Sequence, residues 1–130
     1  MTLITGPAFQ GKLEYSKKHW PESIENYFDG ETCDYALAKG ADVINNYHHL
    51  IRRLLDKSID PVAYTDELIR INPCCVVIMN DIGSGVIPIE KKDRVWREAV
   101  GRCGCLIAEH ADRVIRVMCG IPTALKGELP

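Results

Sequence analysis

No stretch of the 130 residues is long and apolar enough to span a membrane, and the N-terminal apolar run is too short for a signal peptide, broken as it is by Gly6 and Pro7. A cytoplasmic protein is therefore expected. Basic charge is also lacking: 16 Lys and Arg stand against 18 Asp and Glu, for a formal net charge of −2 and a pI near 6.1. That balance argues against a nucleic-acid partner. Internal repeats, low-complexity segments and linkers are missing too, and the length suits one compact domain spanning residues 1–130. Although there are six cysteines, Cys33, Cys74, Cys75, Cys103, Cys105 and Cys119, none forms a Cys-x-x-Cys pair. Cys74 and Cys75 are adjacent and would point apart, and Cys103 and Cys105 would lie about 200° apart on a helix. Neither pair makes a metal site, so no metal ligands are assigned, and reduced, mostly buried thiols are expected.

What the chain does have is Gly6-Pro7-Ala8-Phe9-Gln10-Gly11-Lys12-Leu13, directly after the apolar run Met1–Thr5 and ahead of a helical pattern. Two glycines and a lysine at this spacing, between strand and helix, are the pattern of a loop whose backbone N–H groups cradle phosphates. Leu13 occupies the place where a Ser or Thr hydroxyl normally holds magnesium. The plain alternative is a glycine turn that caps a helix.

Helical spacing predicts a first helix from Lys12 to about Trp20, ended by Pro21, and a weak strand covers Ile24–Phe28. Leu37, Ala41, Ile44, His48, Ile51 and Leu55 recur at helical spacing, predicting one long helix from about Cys33 to Asp56. A shorter helix is expected at Ala63–Ile71. The run Cys74–Met79 reads as a strand buried on both faces, ending in the polar turn Asn80–Gly85, where parallel sheets collect ligands. A helix over Glu90–His110, a strand over Arg113–Cys119 and a turn at Gly120-Ile121-Pro122 complete the pattern. Strands alternating with helices imply an α/β fold with a mostly parallel sheet.

On the long helical pattern His48 falls in the apolar stripe, as a core histidine would. His49 lies about 100° away beside Arg52 and Arg53, where it could donate to a phosphate, attack one, or simply belong to a solvated basic face. Asp81 follows the buried strand and either serves a bound cation or starts a turn. Arg94, Arg97 and Arg102 share a helix and matter to chemistry only if that face meets the loop.

The stretch Val76–Pro88, with Arg94-Val95-Trp96-Arg97-Glu98-Ala99-Val100-Gly101-Arg102, Ala111-Asp112 and Gly120-Ile121-Pro122 to Lys126, resembles the adenosylcobinamide kinase / adenosylcobinamide-phosphate guanylyltransferase family of cobalamin assembly (CobU-type). That resemblance implies a P-loop nucleotide-binding fold, three-layered, here with a reduced, mostly parallel sheet. It implies GTP or ATP as cofactor, with magnesium, and adenosylcobinamide as substrate, phosphorylated first and then given GMP. By the same resemblance Gly6, Pro7, Ala8, Phe9, Gln10, Gly11, Lys12 and Leu13 hold phosphates, and His49 or His48 accepts the guanylyl group, with Asp81 in place of the family's Glu. A strand with an acidic end, expected between the histidine pair and Cys75, has no room here. With Leu13, its loss predicts weakened chemistry, and a catalytically inactive nucleotide- or partner-binding relative is the alternative. Exposed edges of a shortened sheet predict self-association.

Overall fold

The computed structural model describes residues 1–21, 25–82 and 90–130. Among the described residues five parallel strands, the N-terminal one near their middle, make up most of the sheet. They are β1 (Thr2–Thr5), β2 (Tyr27–Asp29), β3 (Val43–Asn45), β4 (Val76–Ile78) and β5 (Arg113–Met118), with β6 (Ile121–Lys126) antiparallel at the edge. Their order across the sheet is β2-β3-β4-β1-β5-β6. β1 therefore lies between β4 and β5, and its carboxyl end opens into the loop at Gly6.

Successive residues of the inner strands are buried on opposite faces, as period-2 geometry requires. Ile4, Val43, Val76, Ile78, Ile115 and Val117 pack with Tyr15 of helix α1 (Lys12–His19). Leu3, Ile44, Val77 and Val114 pack instead with Leu50 and Leu54 of α2 (Tyr47–Asp56), Leu68 of α3 (Pro61–Ile71), and Val100 and Ile107 of α4 (Lys91–His110). The fold is thus α/β in three layers, with one α-helix on one face and three on the other among the described residues, of the P-loop type. Fully buried side chains such as Ile4, Ile44, Leu50 and Ile115 contribute roughly 1.5–3 kcal/mol each. None of the described helices is long and apolar enough to cross a membrane.

Several expectations need correcting. The long helix from Cys33 to Asp56 does not form: its span holds a short 3-10 turn at Leu37–Gly40, strand β3, and α2. The chain breaks at Asn46, whose φ of 55° is left-handed. Strand 2 sits at Tyr27–Asp29, and Ile24 lies outside the described residues. Gly120-Ile121-Pro122 is only partly a turn, because Cys119 and Gly120 take positive φ (53° and 75°) and Ile121 already begins β6. The thiols are all free but mostly not buried: only Cys75 and Cys103 are, while Cys74, Cys105 and Cys119 are exposed. Between α2 and β4 the chain carries α3 and no strand, as its length predicted. A strand end does lie beside the histidines, but it precedes them and finishes in Asn45. Of the turn after Met79, residues 83–85, with Val86-Ile87-Pro88 beyond them, fall outside the described residues.

Candidate functional site

The loop between β1 and α1 owes its shape to residues that can take positive φ. Gly6 (φ 143°) packs so closely on β5 that a Cβ there would come 2.3 Å from the Val117 carbonyl oxygen. Phe9 (φ 58°) and Gly11 (φ 91°) also take positive φ. Both flanks of the loop are tied down. The Asp81 N–H donates to the Gly6 carbonyl at 2.8 Å, and Gln10 receives the Gly120 N–H on its carbonyl and the Cys119 N–H on its side-chain oxygen, each at 2.8 Å. Helix α1 begins at Lys12 with no side-chain cap, which leaves the helix N-terminus to an anion. Lys12 is buried, and its Nζ donates to the Pro7 carbonyl at 2.6 Å. Burial lowers the Lys12 pKa, and the Asp81 charge partly offsets this.

The histidine pair opens α2. Asn46 forms the left-handed entry, so His48 and His49 occupy the first turn. His48 is buried, and its Nδ1 accepts the Asn80 backbone N–H at 3.0 Å, which places the proton of the neutral ring on Nε2. Desolvation first, then His49 and Lys12, push its pKa down to about 4, with Asp29 opposing them. His49 is half-buried, 4.3 Å from His48 between ring centroids, and stacks on Trp96 at 6.2 Å with 19° between planes. The Trp96 Nε1–H donates to the His48 carbonyl at 2.7 Å. Arg52 covers the indole at 4.8 Å and is held by Asp93 at 2.8 Å. Helix α4 thereby fixes the turn that carries both imidazoles.

A pH dependence follows with a definite sign. Below pH 6.5 the unfolded chain protonates His48, whereas the folded chain resists protonation until about pH 4. Stability is therefore complete above pH 6.5 and lost between 6.5 and 4, by up to about 3 kcal/mol. Urea denaturation at pH 7 and pH 4.5 should show this loss, and His48→Asn, whose Oδ1 can replace Nδ1 as acceptor, should shrink it. An equal pH response in both chains would refute the assignment.

Loop and histidines line one open cavity of about 590 Å³, bounded by residues 8–14, Asn45, Asn46, His48, His49 and Asn80. The structure thus brings Ala8, Phe9, Gln10, Gly11, Lys12 and Leu13 together with both histidines. Gly6 and Pro7 shape the loop from behind. Asp81 does not line the cavity; its carboxylate lies 3.9 Å from Arg116, and Asn80 takes the inner position. The basic face expected around His49 is likewise spent on structure, since Arg53 donates to the Gly30 and Cys33 carbonyls at 2.9 and 2.7 Å. Arg102 lines a separate groove with Leu55 and Ile59, and the other α4 arginines are not among the cavity's lining residues. Asn45 and Asn46 were missed because they were read as interior helix. Their signal was the Asn-Asn pair itself, a poor helix former directly after Val-Ile.

Phosphates fit the chemistry of this lining, which carries Lys12, carboxamides and imidazoles at a helix N-terminus, although the Asn46 amide already donates to Asp29. A magnesium cage does not fit. Leu13 offers no oxygen, and among the described residues lining the cavity the one side-chain carboxylate is that of exposed Glu14. Among the described residues no three His, Cys, Asp or Glu side chains cluster as ligands.

Residues 44–125 match the model of the family CobU: cobinamide kinase / cobinamide phosphate guanyltransferase. That span holds most of β3, the histidine pair and everything through most of β6, with the loop at residues 6–13 preceding it. Among curated proteins no match was found.

Proposed function

The chain belongs to the cobinamide kinase / cobinamide phosphate guanyltransferase family, and we propose that it binds GTP or ATP in the cavity and uses His49 to accept a nucleotidyl group. The carrying observation is the cavity itself, which joins a helix-capped phosphate loop, Lys12 and a half-buried imidazole. Phosphates seated on the loop and on Lys12 would leave the α-phosphorus for His49 to reach. In that step a bond forms from an imidazole nitrogen to the α-phosphorus, the α–β bridging bond breaks, and pyrophosphate leaves. His48 holds the neighbouring turn and stays neutral at pH 7, adding no positive charge next to the nucleophile. The nucleotidyl group would then pass to a phosphorylated cobinamide. The kinase step is the weaker of the two here, because Leu13 withdraws the hydroxyl that orders a cation at the β- and γ-phosphates.

Incubation with GTP labelled at the α-phosphate should leave an acid-labile label on the protein that His49→Ala removes and His48→Asn retains. Label that survives His49→Ala would reject His49 as acceptor. A second reading is favoured by Leu13 and by the strand-end amides: a nucleotide-binding relative without turnover, acting as a regulatory or scaffold protein. Nucleotide binding with no label and no phosphorylated cobinamide would select it. In either case the exposed edge strand β6, with Ile121 and Leu125 open to solvent, supports self-association as part of the proposal.

A further inference from the structure

Four positions around the loop are those at which a nucleotide site of this architecture would present a carboxylate or hydroxyl to a cation, and none puts one into the cavity here. Leu13, the second residue of α1, carries a hydrocarbon side chain and leans on the core with Tyr15 and Val117. Strand β3 ends in Asn45, and Asn80 lies two residues past the end of β4; both are at the cavity and both are carboxamides. Asp81 supplies a carboxylate one residue later, but outside the cavity lining and beside the Arg116 guanidinium. A magnesium ion needs near-octahedral oxygen ligation and is held in such sites by one or two carboxylates or hydroxyls besides the phosphates. The NH2 of a carboxamide, an imidazole N–H and an ammonium are donors to phosphate oxygens, and a neutral carboxamide oxygen holds magnesium less strongly than a carboxylate does.

We infer that this cavity binds its nucleotide phosphates without a divalent cation, the donors of Lys12, Asn45, Asn80 and the first turn of α1 doing what the metal does elsewhere. The inference rests on the nucleotide reading above and adds the ionic form of the ligand: the free polyphosphate anion. Donors that point at bare phosphate oxygens lose partners when magnesium already occupies those oxygens.

Calorimetric titration of the wild-type chain with GTP, once in EDTA and once in excess magnesium, tests this. The expected result is binding in EDTA at least as tight as in magnesium, weakened about 10- to 100-fold by Lys12→Met in both conditions. Binding that appears only with magnesium overturns the inference and leaves the nucleotide reading standing. No binding in either condition overturns the nucleotide reading and the inference with it. The double variant Leu13→Ser/Asn45→Asp restores two oxygens, so magnesium should now tighten GTP binding by about tenfold or more. A double variant that binds GTP and stays indifferent to the metal would count against these two positions as the cause.

Discussion

A Gly6→Ala chain is expected to be destabilised by on the order of 3 kcal/mol or more and to lose nucleotide binding. Two independent costs add. The new Cβ would sit 2.3 Å from the Val117 carbonyl oxygen, a backbone atom of β5 just past the end of its ladder with β1 that no rotamer change can move. In addition, a φ of 143° is one that alanine rarely adopts. Relief requires parting β1 from β5 just where the loop begins, so the fold and the cavity suffer together. Urea denaturation and GTP titration measure the two effects. An unchanged midpoint with unchanged affinity would mean that the loop does not rest on β5 as described.

Lys12→Met should move stability and binding in opposite directions. Methionine keeps most of the buried stem but removes the ammonium, whose charged form burial already disfavours. The folded chain should therefore become no less stable, and somewhat more so. GTP affinity should nevertheless drop about 10- to 100-fold, because a charge-assisted hydrogen bond to phosphate is lost. A residue kept for structure would fall on both measurements. Destabilisation by Lys12→Met with affinity intact would identify the Nζ to Pro7 bond as a mere loop fastener.

Much of the fold could be read from residue order, and the failures share a cause. Helix α4 and strand β5 were found within a residue or so, because each is long enough to display its period. Strand β3 was absorbed into a supposed helix because three residues cannot display a period of two. Val43 and Ile44 are buried on opposite faces, and two adjacent apolar residues also suit a helical stripe. Gly40 and Asn46 marked the true breaks. Strand β6 escaped for the opposite reason: nearly all of it is exposed, so no alternation was written into it, and Pro122 is tolerated only because the strand is an edge. At the site, the position of the loop between β1 and α1 was legible from Gly6, Gly11 and Lys12 set between an apolar run and a helical pattern. The exchange of Asp81 for Asn80 was not, since which residue of a strand end faces the cavity depends on register, and register is set by the neighbouring strands.

Gln10 anchors the loop to the turn between β5 and β6 through both its backbone and its side chain. Because that turn belongs to a hairpin formed on folding, the loop's conformation is settled before any ligand arrives. The entropy of ordering it is charged to folding and not to association. A phosphate should therefore bind with a small heat-capacity change and little structural adjustment, and loosening this anchor should cost affinity through a slack, wandering loop even though Gln10 itself need never touch the ligand.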